Sequence, residues 1–497
     1  MSFASLPFLL TLPIVLLGFY CIRGTQAADV RTWWLLIASV LLYAYSGLQD
    51  TAVLGLSLLL NLAVARVLIH ASAGQRLRRV VMRLGVLINA LLLILFKWLG
   101  TNGAGAHAGQ YLTGSEVLIP LGLSFITFQQ IAFLVDCYHR RIQTFRTRDY
   151  VFFITFFPQL VMGPIVQFHQ LVPQLYEESY ARRSFENFSV GLAIFIFGLF
   201  KKVAVADALA PVVDRIFNAA GAAPLSTLDA WAGAVGFQLQ LFLDFSAYAD
   251  MAIGLARMLG LNLPINFDDP YRAVNRFDLW KRWHITFVEF MRVHVYRPLA
   301  RICGLPMPVA LTATMLISGI WHGLGWTFVL WAVLQAAVLL CGHYWSHWRK
   351  SALGRRLPQW LLLKVVITFM CTSVLSVLFR SSSLNAAKNM FASMLAAGNE
   401  VRSVAGSMVR STLDHGSVAA LLAAVALVWI VPPAGELFSR YWSAIDPRPT
   451  KGAPTTQVGK IALRFDLSLP WGLFAGVCLV IAVFSLGHVR RFIYVQF

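Results

Sequence analysis

The stretch Val309-Ala-Leu-Thr-Ala-Thr-Met-Leu-Ile-Ser-Gly-Ile-Trp-His-Gly-Leu-Gly-Trp-Thr-Phe-Val-Leu-Trp-Ala-Val-Leu334 contains no Asp, Glu, Lys or Arg. About 20 consecutive apolar residues are enough to cross a bilayer as a helix. The one ionisable side chain in it is His322. An imidazole at membrane depth is costly unless it meets a polar cavity or a partner, so it is a functional-site candidate. The alternative is a helix-packing histidine bonded to a neighbouring carbonyl. Gly319, Gly323 and Gly325 clear space beside it for a ligand or for a close backbone.

The same character extends outward in both directions. The 497 residues are 58% hydrophobic and 13% charged, with a mean hydropathy of +0.68. Soluble domains carry about 25% charged residues. Further apolar stretches fall near 6–22, 32–48, 52–70, 80–99, 117–137, 187–206, 229–256, 305–323, 325–345, 361–379, 417–432 and 470–488. The expectation is an all-α polytopic membrane protein with eleven or twelve spans. It is read as one domain: N-terminal spans over 5–150, a core over 151–345, and C-terminal spans over 361–497. Residues 6–22 have no basic n-region before them and no clear small-residue cleavage site, so a retained span is expected there rather than a signal peptide.

The net charge of +19 is spread over short loops and forms no single patch, which argues against nucleic acid and for contact with anionic lipid. Arg23 and Arg31, then Arg76, Arg78, Arg79 and Arg83, then Arg140, Arg141, Arg146 and Arg148 follow alternate spans. Loops 49–51 and 100–115 carry no Lys or Arg. This pattern places the N-terminus outside and the basic loops in the cytoplasm. Arg182, Arg183, Lys201 and Lys202 then bracket one span on both sides, and Arg490 and Arg491 compete with Arg448, Lys451, Lys460 and Arg464, so the C-terminal side stays open. The six cysteines lack CxxC spacing and read as buried small apolar residues.

Two segments differ from simple spans. Tyr150–Phe168 includes Phe156-Phe-Pro-Gln-Leu-Val-Met-Gly-Pro164. Its prolines and glycine predict either a re-entrant, unwound segment or a proline-kinked span. In Phe277–Leu299, helical spacing puts Trp280, Trp283, His284, Phe287, Met291 and His294 on one face. Asp278, Lys281, Arg282, Glu289 and Arg292 share the other, which predicts an amphipathic helix on or dipping into the membrane. Stretch 433–468, rich in proline, reads as a cytoplasmic or interfacial loop.

Polar residues inside apolar segments are the remaining candidates. Asp244, Ser246, Tyr248 and Asp250 lie within Leu241–Gly254, paired at four-residue spacing. Carboxylates at this depth need partners, and Arg272, Arg276, Lys281 and Arg282 follow within forty residues. A buried ion-pair network that only holds helices together is the stronger reading of these residues. Lys281 and Arg282 suit the phosphates of a cytosolic cofactor, or headgroup anchoring. His284 alone reads more readily as structural, and a second histidine within reach of His322 would change that reading. The sequence contains no Walker A, HExxH or GxSxG motif, and the scattered histidines suggest no metal site.

Several of these stretches together resemble the membrane-bound O-acyltransferase family, in particular its bacterial exopolysaccharide-acetylating branch. They are Ile119-Pro-Leu-Gly-Leu-Ser-Phe-Ile-Thr-Phe128, Phe157-Pro-Gln-Leu-Val-Met-Gly-Pro164 and Gly198-Leu-Phe-Lys-Lys-Val-Ala-Val-Ala-Asp207. Gln240-Leu-Phe-Leu-Asp-Phe-Ser-Ala-Tyr-Ala-Asp250, Asp278-Leu-Trp-Lys-Arg-Trp-His-Ile-Thr286, Gly319-Ile-Trp-His-Gly323 and Phe492-Ile-Tyr-Val-Gln-Phe497 follow in order. The resemblance puts the family's intramembrane histidine on His322 and the branch's second histidine on His284. It implies spans around a central tunnel where acyl donor and acceptor meet, in the bacterial inner membrane. It also implies acetyl-CoA as donor, a periplasmic SGNH-type polysaccharide acetyltransferase as partner, and association with an exopolysaccharide synthase. Alginate-type members carry a Gly-Gly-Asn-Arg turn after the Trp-His helix. This chain reads Tyr296-Arg-Pro-Leu-Ala-Arg-Ile-Cys303 there, which favours acetylated cellulose or another exopolysaccharide.

The expected chemistry is acyl transfer from a thioester. A neutral His322 is the general base on the acceptor hydroxyl, and His284 orients the acceptor or bonds the thioester carbonyl. Asp278 and Arg272 join the supporting polar network. Two rivals remain: a transporter or channel whose Asp244 and Asp250 bind ions, and a structural subunit whose histidines only pack.

Overall fold

The computed structural model describes residues 2–24, 26–70, 74–104, 119–181, 184–349, 360–396, 413–441, 463–490 and 492–493. Those residues form helices and connections with no strand. Six helices are long and apolar enough to cross a membrane: Ala27–Ala44, Leu48–Ile69, Gln75–Leu99, Phe185–Ala222, Trp326–Trp348 and Leu361–Arg380. Shorter apolar helices cover Leu6–Cys21, Leu123–Tyr138, Met307–His322, His415–Ile430 and Leu469–Ser485. The twelfth expected stretch lies in Thr227–Met258, a helix buried all round from Gly236 to Ala249. A helix wrapped by protein on every side is a central post rather than a lipid-facing span.

Lipid gives helices no hydrophobic reason to associate, so small residues that let backbones approach matter most. The Phe185–Phe200 and Thr227–Met258 helices cross at Gly191 and Gly254. A Cβ on either glycine would sit 2.6 Å from the other's carbonyl oxygen. At Gly198 a Cβ would meet Ala247 O at 2.9 Å.

In the N-terminal half, two basic residues used to orient the chain are buried. Arg31 donates to Tyr180 O and Ile22 O. Arg78 donates to Leu68 O, Cys137 O and Tyr138 O, caring for carbonyls at two helix ends. Arg148 reaches Asp29, and Arg66 reaches Thr147. These contacts gather the first three basic clusters at one end of the bundle.

The Tyr150–Phe168 segment is broken, as its prolines required. Helices at Thr147–Thr155 and Phe157–Leu160 give way to non-helical backbone, and Met162–Val166 is buried in protein. Gly122, at φ +73°, lies against this break: a Cβ there would be 2.6 Å from Leu160 O.

The expected amphipathic helix over Phe277–Leu299 is corrected. Helix Arg276–Arg282 stops, His284 adopts a left-handed backbone (φ +43°), and a second helix runs Ile285–Met291. The reason is Asn266, whose carbonyl takes Ile285 N–H at 2.9 Å and whose Oδ1 takes Thr286 N–H at 3.3 Å. A new helix start is thereby satisfied in the middle of the segment. Arg276 and residues 282–287 are buried, so the middle of this segment packs inside the protein, while Phe277, Lys281 and Arg292 are exposed.

All six cysteines are unpaired, but Cys21, Cys303 and Cys341 are exposed, against the expectation of burial. Apolar neighbours in sequence do not distinguish a lipid-facing side from a protein-facing one. Arg182, Arg183, Arg448, Lys451, Lys460, Arg491, most of loop 100–115, the centre of 433–468 and tail residues 494–497 lie outside the described residues.

Candidate active site

Between the central helix and the C-terminal helices lies a pocket with about 530 Å³ of empty space, open solvent at its mouth included. His284 and His322 both line it, with Arg276, Trp280, Trp283, Trp331, Gln335, Thr372 and Phe379 among its walls. The histidines are 38 residues apart in sequence and are 1% and 5% exposed. Phe287 packs on both rings, with centroids 5.0 Å from His284 and 6.1 Å from His322.

His322 ends helix Met307–His322. Its ring meets Trp321, Phe379 and Trp331 at centroid distances of 4.4, 4.8 and 5.4 Å. Lys97 Nζ lies 3.5 Å from its carbonyl oxygen. The glycines beside it serve helix packing. A Cβ on Gly319 would be 2.7 Å from Phe328 O, and one on Gly323 would be 2.3 Å from the Phe328 ring. Phe328 in turn packs on Phe379, one of the rings around the imidazole.

His284 is held by one acceptor. Its Nδ1 is 3.0 Å from Asn266 Oδ1, which also takes Thr286 Oγ1 at 2.9 Å and Thr286 N. A backbone N–H can only donate, so the Asn266 atom facing it is oxygen. The proton of neutral His284 is therefore on Nδ1, and Nε2 carries the lone pair. Thr286 Oγ1 accepts from Ile165 N at 2.9 Å. The broken segment after Pro158 is thus tied to the histidine through two side chains.

The other predicted residues do not enter this cavity. Asp244 pairs with Lys202 Nζ at 2.6 Å, and Lys202 also meets Asp207 at 2.8 Å. Asp250 pairs with Lys201 at 2.5 Å. A wide turn over Lys201–Ala206 aims both lysines at the central helix, which corrects the expected partners Arg272, Arg276, Lys281 and Arg282. The tail closes this knot: Ile493 N–H reaches Asp244 at 2.8 Å, and the Phe492 ring lies 4.3 Å from Lys202 Nζ. Tyr248 stacks on Phe3 and meets Phe492 edge-on. Ser246, Lys201 and Asp250 line a separate, mainly apolar cavity of about 970 Å³. Arg282 pairs with Asp278 at 2.9 Å, and Arg272 lies 3.7 Å from Asp269. Lys281 is exposed.

The sequence reading named Arg276 only as a partner for the central-helix carboxylates, not as a cavity residue, and missed Asn266. Arg276 stands four residues before Trp280, so extending the same helical face backwards would have reached it. Asn266 had no such signal, because its role depends on a chain reversal.

Sequence comparisons identify relatives of this chain. The model of the family described as MBOAT, membrane-bound O-acyltransferase family, matches residues 40–382. A peptidoglycan O-acetyltransferase of Helicobacter pylori is 33% identical over 77% of this chain and 77% of its own length. A probable alginate O-acetylase of Azotobacter vinelandii is 30% identical over 86% of this chain and 84% of its own. A teichoic acid D-alanyltransferase of Streptococcus thermophilus is 24% identical over 55% and 71%.

Proposed function

The chain belongs to the membrane-bound O-acyltransferase family and is a multi-pass membrane acyltransferase; we propose that it moves acetyl groups from a cytoplasmic thioester donor, acetyl-CoA, toward polysaccharide hydroxyls outside the inner membrane. The observation that carries this reading is the convergence of His284 and His322 on one cavity. His322 takes the proton of the attacking hydroxyl as general base. His284 Nε2, a lone-pair nitrogen, accepts a hydrogen bond from a second hydroxyl of the acceptor and so orients it, leaving the attacking O–H to His322. The alternative role of bonding the thioester carbonyl needs a donor N–H at that atom and is set aside.

Exposed Lys281 is the candidate contact for the donor's phosphates, whereas Arg282 is committed to Asp278. The final transfer runs through a periplasmic acetyltransferase associated with an exopolysaccharide synthase. The relatives' names include alginate and peptidoglycan. The missing Gly-Gly-Asn-Arg turn directs the proposal to a polymer other than alginate, such as cellulose. The transporter alternative is less favoured, because Asp250 already pairs with Lys201, and Asp244 shares Lys202 with Asp207.

The test is turnover of radiolabelled acetyl-CoA by the purified protein in nanodiscs, with and without a periplasmic fraction. Label in a polysaccharide only when the fraction is present supports the relay. Ion-driven uptake of an unmodified solute with no thioester cleavage would replace acyl transfer by transport.

A further inference from the structure

Arg276 is a buried cation, 6% exposed, at the wall of the histidine cavity. Its guanidinium donates to Thr372 Oγ1 and to Gln335 Oε1, both neutral. Thr372 passes its own proton to Thr368 O at 2.6 Å, so its lone pairs face the arginine. Among the described residues no carboxylate lies within ion-pairing distance of Arg276, and Arg276 Nε has no hydrogen-bond partner. One turn further along the helix, Trp280 lines the same cavity, and its Nε1–H has no hydrogen-bond partner either. A buried charge anchored by neutral groups keeps its field for whatever anion enters.

We infer that Arg276 and Trp280 are the oxyanion-stabilising donors of this cavity, an assignment that rests on the acyl-transfer reading above. The acceptor hydroxyl oxygen forms a bond to the thioester carbonyl carbon, and its proton goes to His322. The carbonyl π pair moves onto oxygen, where negative charge develops against the Arg276 and Trp280 N–H groups. Collapse re-forms the C=O, breaks the C–S bond, and the thiolate takes the proton from the imidazolium. Among the described residues no other Lys or Arg lines this cavity, and the lone pair of His284 Nε2 leaves it unable to serve as the donor.

The experiment compares acetyl-CoA turnover by wild type, Arg276→Ala, Arg276→Lys and Trp280→Phe in nanodiscs, with guanidinium ion added to the alanine variant. Removing one oxyanion donor typically lowers kcat by roughly 10²–10³-fold. That loss is expected for Arg276→Ala with KM for the donor unchanged, together with partial recovery by guanidinium, which a packing defect would not show. Trp280→Phe keeps a ring and loses the N–H, so it provides the same kcat test if the arginine variant fails to fold. A raised KM at unchanged kcat would make the site a ground-state anion pocket, and unchanged kinetics in folded variants would remove the role; either overturns the assignment. A wild type that cleaves no thioester would overturn acyl transfer itself.

Discussion

Asn266→Leu is the substitution that separates a held histidine from one that is merely buried. Leucine matches asparagine in size but offers no acceptor. Two rigid donors, His284 Nδ1–H and Thr286 N–H, would lose their shared oxygen, while the Thr286 hydroxyl can rotate. Each buried donor left unmade costs about 1–3 kcal/mol, so some loss of stability is expected without collapse of the fold. The larger effect falls on chemistry. With no acceptor at Nδ1 the imidazole can turn or change tautomer, and Nε2 no longer faces the acceptor reliably. Loss of a group that orients the acceptor is worth on the order of 10²-fold in rate. The assay is single-turnover transfer from acetyl-CoA in nanodiscs, normalised to monodisperse folded protein. Asn266→Asp, which keeps an acceptor oxygen, should retain far more activity than the leucine variant. Folded Asn266→Leu with wild-type turnover would refute the account of how His284 is oriented.

Other outcomes follow from the packing. Lys202→Met leaves Asp244 and Asp207 buried without their cation, and breaking such a pair typically costs about 3–5 kcal/mol; thermal unfolding in detergent should show a large drop, with little protein recovered from the membrane. Gly323→Ala drives a methyl into the Phe328 ring, which moves Phe379 against His322. The expected result is lower turnover with near-normal thermal stability, checked by measuring both on one preparation.

The sequence made the spans legible because apolar length is a one-dimensional signal. Every stretch proposed as a span lies on a helix. Proline and glycine spacing also marked the break after Phe156. The interior of the site was harder to read. Helical periodicity assumed that Phe277–Leu299 was continuous, and no local residue announces that Asn266 will start a new helix at Ile285. The carboxylates of the central helix were paired with the nearest downstream cations, whereas the wide turn at Lys201–Ala206 delivers lysines from upstream. His322 stood out because it is ionisable in an apolar stretch. Arg276, flanked by polar residues, did not, although its burial is just as costly.

The most direct measurement is acetyl transfer by His322→Ala, with and without added imidazole, against wild type at equal amounts of folded protein. The account predicts loss of transfer in the variant and partial return with imidazole, since the cavity is left intact around the missing base. Wild-type transfer by folded His322→Ala would contradict it.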